Sequence, residues 1–289
     1  MQAEITRIAP SPTGLMHLGT ARTAYFNWLA ARSSGGRFIL RIDDTDAARN
    51  DEAAVAVIDD GLAWLGLDHD ERFRQSERGA AYSAAADRLL AAGRAYRADN
   101  GAVLLSPGFD SSWTAHGGKV MTPTEKESAL ADDQVLIRGD GAPVYHFASV
   151  VDDAEKGITL IIRGADHISN TFRQASIFRA LGAEPPRFAH VGLITQGGKK
   201  MSKRDGAASL LSYRDAGYDP DAVLNALLRM GWGPSVDDKS AAVLPRERAL
   251  DLFLTGGKMK SSSAGFDQAK LDWFDRKYKM DKDRSPEIR

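Results

Sequence analysis

Three stretches of this 289-residue sequence gather residue types that can do chemistry. The first, PSPTGLMHLGT at 10–20, sets Pro10, Pro12, Gly14 and Gly19 around one histidine, His17, directly after EITRIA, which reads as a strand. A strand that ends in a Pro/Gly loop and opens a helix aims unpaired backbone N–H groups at one point, which suits an anion and above all a phosphate. Glycine lets a flat or bulky group approach the backbone, and proline stiffens the loop. A histidine there can donate to phosphate oxygens as charge builds on them. The second stretch, TQGGKKMSKRDG at 195–206, places Lys199, Lys200, Lys203 and Arg204 within six residues after a glycine turn. It lies at the end of a predicted strand, where ligands of open α/β sheets bind. The third, RIDDTD at 41–46, holds Asp43, Asp44 and Asp46. On residue types alone these are a helix N-cap cluster or a weak metal site, and their spacing does not fit an EF-hand loop.

Each stretch also has a plainer interpretation. An isolated strand–turn–helix corner can carry a solvent-facing histidine, and four basic residues in six can be a surface loop. A fourth stretch, GGKMKSS at 256–262, repeats the Lys-Met pattern of the second. Neither GGKK nor GGKM completes a Walker loop, because no GK[ST] follows at the required spacing.

The elements that must position these groups follow from hydrophobic periodicity. Residues 4–9 read as a strand. A helix follows with Leu18, Ala21, Tyr25, Trp28 and Leu29 at helical spacing, and RFILRI at 37–42 reads as a second strand. This is a βαβ unit, whose strands are expected parallel with a right-handed crossover. Helices are predicted at 51–65 and 80–92. Residues 99–133 lose periodicity and read as an insertion or small subdomain. Strands are predicted at 134–138, 143–147, 158–163 and 188–194, with a helix at 170–181. From about 206 the pattern turns helical, at 209–216, 220–230, 246–254 and 267–279, with Asp219 and Pro220 as cap and first turn of the second of these.

Composition sets the limits. Hydrophobic content of 43% and charged content of 27% belong to a soluble globular protein, and no apolar run reaches membrane-spanning length. The N-terminus lacks the layout of a secretory signal, so a cytoplasmic location is expected. With no cysteine there is neither a disulfide frame nor a thiolate metal site. The net charge of −1 conceals a gradient: from Lys156 onward there are 23 basic and 16 acidic residues, a net of +7, against −8 before it. Such asymmetry fits either a C-terminal half that faces a polyanion or chance clustering on a solvated surface.

RIAPSPTGLMHLGT together with KKMSKRDGA resembles the signature pair of class I aminoacyl-tRNA synthetases, specifically the glutamyl-tRNA synthetases. Further segments agree in order: RIDDTDAARND, DGAPVYHFASVVDD, GITLIIRGADHISNTFRQ, PPRFAHVGLI, YRDAGYDPDAVLNALLRMGW and FDQAKLDWF, so that the likeness spans nearly all of residues 5–279. It implies an α/β, Rossmann-like catalytic domain with a parallel sheet, in two halves at 1–85 and 145–205. A shortened acceptor-stem insertion would occupy 86–144 and an α-helical stem-contact domain 206–289. The chain stops without the family's anticodon-binding domain.

The activity implied is attack of the glutamate α-carboxylate on the α-phosphate of ATP, then transfer to the 3′ end of tRNA. Mg²⁺ would arrive with ATP, no zinc is implied, and the protein is expected as a monomer apart from any membrane. By resemblance, His17, Lys200 and Lys203 are catalytic. Pro10, Gly14, His17, Gly19, Thr20, Asp166, Lys200, Met201, Ser202 and Lys203 bind ATP. Arg7, Ala9, Ser11, Asp43, Tyr145, Ser149 and Arg163 hold glutamate. Arginine matches carboxylates in a planar fork, and an acid should meet the ammonium. Thr20 stands where the general class I motif has a second histidine. Asp43 stands where bacterial relatives usually carry Glu, and Ser149 where some carry Asn. Lys258 and Lys260 are assigned to a surface or RNA-facing loop. Two alternatives remain: a glutamyl-queuosine tRNA(Asp) synthetase, which also lacks the anticodon domain, and a catalytically silent tRNA-binding paralogue.

Overall fold

A computed structural model of the chain describes residues 2–46, 50–201, 209–234 and 243–284. The first βαβ units are β1 (Ile5–Ile8), α1 (Leu18–Ser33), β2 (Arg37–Ile42), α2 (Glu52–Trp64) and β3 (Glu71–Arg74). All three strands are parallel in the order β1-β2-β3. The insertion region carries α3 (Gly79–Ala91), β4 (Ala95–Arg97), β5 (Val103–Leu105), β6 (Trp113–Thr114), β7 (Val120–Met121), α4 (Glu125–Ala131) and β8 (Val135–Ile137). The second half resumes with α5 (Tyr145–Glu155), β9 (Leu160–Gly164), α6 (Ile168–Ala180), β10 (Arg187–Val191), β11 (Ile194–Gln196) and β12 (Lys199–Lys200). Last come α7 (Leu210–Asp215), α8 (Pro220–Arg229), β13 (Trp232–Pro234), α9 (Arg246–Leu252), β14 (Gly257–Met259), β15 (Ala264–Gly265) and α10 (Gln268–Arg284).

The halves meet along β1 and β9. β9 and β10 are parallel, and Thr159, just ahead of β9, donates its amide to the Ile5 carbonyl at 2.9 Å. Farther along, Asn27 of α1 fills the seam. Its amide nitrogen donates to the Ile162 carbonyl at 2.9 Å, and its carbonyl accepts from Thr6 Oγ1 at 2.7 Å. From this seam the first crossovers run towards β3 and the later one towards β10, so the seam is a topological switch point, where α/β sheets open a ligand crevice.

α1 is buried on nearly every side, from Leu18 to Ala31. It packs on β1, β2 and β9 and also against α8 and α9, so one core joins the sheet to the C-terminal helices, Phe26 meeting Phe253 edge-on at 5.4 Å. A second core under the insertion is built from α3, β5, β8, α5 and α6, with Tyr82, Leu105, Leu136, Phe147 and Phe178 buried in it.

The structure corrects two sequence expectations. PVYHF at 143–147 is not a strand: α5 starts at Tyr145. The β-branched and aromatic residues Val144, Tyr145 and Phe147 favour a strand by type. As a helix the segment sends Phe147, Val150 and Val151 into a core and keeps Tyr145, Ser149 and Asp153, spaced by four, on one face. The 99–133 stretch, read as aperiodic, forms short strands and the seven-residue helix α4. Thr124 and Glu127 close a capping box there, a sequence signal that periodicity alone does not register. The cap expected of Asp219 is present, its carboxylate accepting from the Asp221 amide at 2.9 Å.

Candidate active site

The loop after β1 is fastened from both sides. The Pro10 carbonyl accepts from the Asp43 amide at 3.0 Å and the Pro12 carbonyl from the Asp51 amide at 3.2 Å. Gly14 turns the chain at φ 128, in the region only glycine adopts easily. His17, in extended backbone, then starts α1 and forms a backbone bridge with Ser209, while the Leu210 amide donates to the Met16 carbonyl at 2.9 Å. The two segments that stood 180 residues apart in sequence, the histidine loop and the exit of the basic stretch, therefore lie side by side.

A cavity of about 430 Å³ opens over the seam, at the C-terminal ends of β1 and β9. One end is lined by Pro10, His17, Gly19 and Thr20, from the loop after β1 and the start of α1, and Asp166 and Met201 also line the cavity. Among the described residues no side chain caps α1, and its first turn holds no acid. Its partial positive charge is thus directed at the cavity, as an anion requires. A Cβ added at Gly19 would meet nothing within 4 Å. Protein packing does not demand glycine there, and the open space suits close approach by a ligand.

The basic stretch leaves β11 through a tight hairpin. Gly197 and Gly198 both take positive φ, 57 and 77, and the backbone of Lys200, on β12, pairs with that of Thr195 on β11. Two glycines with φ > 0 match the right-handed twist of a two-residue hairpin. β11 also pairs in parallel with β15. Ser202 and Lys203 lie outside the described residues.

The other end of the cavity is lined by Arg7, Ala9, Ser11, Asp43, Tyr145 and Arg163. Arg163 is buried, and its guanidinium donates to Gln174 Oε1 and Thr171 Oγ1, each at 2.7 Å, and lies 5.3 Å above the Phe188 ring. Burial lowers its pKa to about 10, which leaves it cationic at neutral pH and able to take a carboxylate. His190, beside it, accepts or donates with Thr171 at 3.0 Å, and burial first, then the Arg163 charge, drives its pKa down to about 3. It is neutral imidazole at any physiological pH.

Asp43 is buried against Arg41, with Nε to Oδ1 at 2.6 Å and Nη2 to Oδ2 at 3.2 Å. Burial pushes its pKa up, more than Arg41 and Arg7 draw it down. Asp44 has a structural task instead, accepting from Ser76 N, Ser76 Oγ and Arg74 Nε at 2.8 Å each. The cap of α2 is Asp51, not the 43–46 cluster, and no group of three potential metal ligands occurs among the described residues.

Among the expected residues whose side chains are described, two lie off the cavity wall; the Lys200 side chain, like Ser202 and Lys203, is outside the described residues. Gly14 shapes the loop without lining the space, and Ser149 stands behind Asp43, accepting from Arg41 Nη2 at 3.2 Å. Conversely, sequence reasoning missed Arg41, Asp153 and Arg22. Arg22 lines the cavity and is buried, donating to the Gly192 and Met230 carbonyls. It joins α1 to the turn before β11 and to the C-terminal end of α8. An arginine on a helix carries no sequence signal for such a role. Lys258 sits exposed on β14, which pairs with β13, whereas Lys260 donates its amide to the Gly231 carbonyl at 2.8 Å. Both belong to the C-terminal region, away from the cavity lining.

Residues 5–103 and 115–273 match the sequence profile of the class I tRNA synthetases (E and Q), catalytic domain. The chain belongs to this family. The internal gap in the match, 104–114, falls within the stretch read as an insertion, and residues 1–4 and 274–289 lie outside the match. Among curated relatives, glutamate–tRNA ligase of Aromatoleum aromaticum is 42% identical over 94% of this chain and 67% of its own length. Glutamate–tRNA ligase 2 of Halorhodospira halophila is 41% identical over 95% of this chain and 66% of its own length. The chain thus spans about two thirds of the length of the curated relatives it matches. A crystal structure of a glutamate tRNA ligase from Elizabethkingia meningosepticum in complex with its amino acid superposes with a TM-score of 0.80. It is 27% identical, covering 96% of this chain and 70% of that one. The synthetase from Elizabethkingia anophelis gives 0.79 at 28% identity over the same shares.

Proposed function

We propose that this synthetase-family chain activates L-glutamate with ATP and passes the glutamyl group to the 3′ end of a tRNA. The observation that carries this is one cavity lined by two different sets of groups: the α1 N-terminus, where His17 makes no capping bond through its side chain, and a pair of buried arginines, Arg7 and Arg163, with one buried acid, Asp43. The first suits polyphosphate and the second an amino acid with two carboxylates and one ammonium.

In the first step an α-carboxylate oxygen of glutamate attacks the α-phosphorus of ATP. The bond to the bridging oxygen breaks and pyrophosphate leaves, giving glutamyl-adenylate. In the second, the terminal ribose hydroxyl of tRNA attacks the activated carbonyl and AMP leaves. Positioning and charge stabilisation carry most of such a phosphoryl displacement. His17 donates towards the α-phosphate, Lys200 and Lys203 take the charge of the leaving pyrophosphate, and Mg²⁺ travels with ATP as part of that substrate. Pro10, Gly14, Gly19, Thr20, Met201 and Ser202 shape the nucleotide seat, and Asp166 meets the ribose. Ala9, Ser11 and Tyr145 complete the glutamate seat, with Ser149 acting from behind Asp43. In the same reading 1–85 and 145–205 are the catalytic halves, 86–144 receives the acceptor end, and 206–289 follows the stem. The protein works as a cytoplasmic monomer.

Glutamate-dependent exchange of pyrophosphate into ATP, with and without total tRNA and against a panel of amino acids, tests the proposal. Exchange with glutamate, followed by charging of a tRNA 3′ end, is the expected result. Exchange followed by glutamylation of a modified base inside tRNA, or no exchange at all, overturns it.

A further inference from the structure

Four charged side chains alternate in sign beneath the amino-acid end of the cavity: Arg7, Asp153, Arg41 and Asp43. The outer two line the cavity and the inner two do not. Asp153 takes both arms of Arg7, Nε at 3.1 Å and Nη2 at 3.2 Å, and on its other side accepts from Arg41 Nη1 at 2.8 Å. Arg41, 1% exposed, sends Nε and Nη2 to Asp43 and its remaining donors to the Ser149 carbonyl at 3.3 Å and hydroxyl at 3.2 Å. All five of its N–H bonds are thereby used. Asp152 stands 3.8 Å from Arg41 but is engaged by Arg78, Gln75 and Tyr82.

Such a chain is stiff. A saturated, buried guanidinium has no alternative partner, and moving either inner ion would strand a charge in low dielectric. We infer that Arg41 and Asp153 are positioning residues that fix the separation between the Arg7 cation and the Asp43 anion, and that this separation selects the carbon-chain length of the amino acid. The inference rests on the glutamate reading above and deepens it. A substrate whose ammonium meets Asp43 while its side-chain carboxylate meets Arg7 must span a set distance. One methylene fewer leaves one of these buried charges unmatched, and unmatched polar groups are where an active site discriminates most. Neither inner residue touches substrate. Each acts through a neighbour.

The test is pyrophosphate exchange on the full chain with glutamate and aspartate, comparing wild type with Asp153→Asn and Arg41→Lys. For either variant the KM for glutamate should rise about tenfold and the glutamate-over-aspartate ratio of kcat/KM should fall by about as much, while the KM for ATP stays within about twofold. The double variant should be no worse than the poorer single one, because both cut the same chain. A purely structural role would lower the active fraction and kcat and leave both KM values and the ratio alone. Ser149→Ala removes one of the Arg41 bonds, and guards against variants that fail to fold: a shift of about threefold in the same direction is expected. An unchanged ratio in all folded variants overturns the inference. If wild type instead activates another amino acid, the glutamate reading fails. The same variants must then lose discrimination between that amino acid and its one-methylene neighbour, or the inference fails too. A wild type inert to every amino acid overturns both.

Discussion

The two ends of the cavity are built on different principles. At the proposed amino-acid end the charged groups are buried and held by side chains: Arg7 of β1 by Asp153 of α5, Arg163 of β9 by Gln174 and Thr171 of α6, and Asp43 by Arg41 two residues before it. At the proposed phosphate end the described groups are backbone: the N-terminus of α1, where His17 makes no capping bond through its side chain, and the glycine hairpin that leads into Lys200. A rigid ionic frame suits recognition of a small solute by shape and charge. An open helix end suits a group whose charge moves during reaction. Selectivity and rate are thus assigned to opposite ends of one space.

That division can be broken most sharply at the phosphate end. His17→Ala or Lys203→Ala should slow adenylate formation by roughly a hundredfold, the scale of removing one transition-state donor, with little change in the KM for glutamate. Pre-steady-state adenylate formation measures this, and a loss expressed in glutamate KM instead would merge the two ends.

A smaller effect belongs to the opposite end and to stability. His190 and His146 are held neutral, their pKa values pushed down to about 3 and about 4 by burial first and then by Arg163 and Arg173 respectively. In the unfolded chain each binds a proton below about pH 6.5, so the unfolded state takes up more protons and stability falls as pH drops from there towards the folded values. Between pH 7 and pH 5 each can contribute up to about 2 kcal/mol of loss. Thermal melts over this range should show the slope, and His190→Gln should flatten it while lowering the neutral-pH melting temperature. An equal slope in the variant would contradict the assignment.

The smallest effect sharpens the contrast. Gly19→Ala should leave the melting temperature unchanged or slightly higher, since alanine favours helix over glycine and the added Cβ meets no atom of the described residues within 4 Å. The KM for ATP should nevertheless rise about tenfold if the space is reserved for nucleotide. Equal KM values in the two proteins would show that the space is incidental.

How far the sequence could be followed also differs between the ends. The phosphate end was legible because its signals are local: Pro10, Gly14, His17 and Gly19 lie within one loop, and the glycine pair before the basic stretch predicts a turn on its own. At the amino-acid end, Arg7, Asp43 and Arg163 could be named only through family resemblance. Arg41 and Asp153 could not be named at all, because a buried ion pair between residues 112 apart leaves no periodic trace. The misread segment at 143–147 shows the same limit. Its residue types fit a strand until Asp152 and Asp153 are given partners across the fold, and then only the helical period brings Ser149 and Asp153 to Arg41.

By itself, the sequence determined the βαβ start, the loop that opens α1, the basic hairpin and the helical C-terminal region, because caps, turns and hydrophobic periods act over a few residues. Only the tertiary structure decided that His17 would meet Ser209, that Asn27 would close the seam between the sheet halves, and that Arg7 and Asp43 would be linked through Asp153 and Arg41. Charges and amides removed from water must find partners, and which partners are within reach is a property of packed elements, not of neighbouring residues.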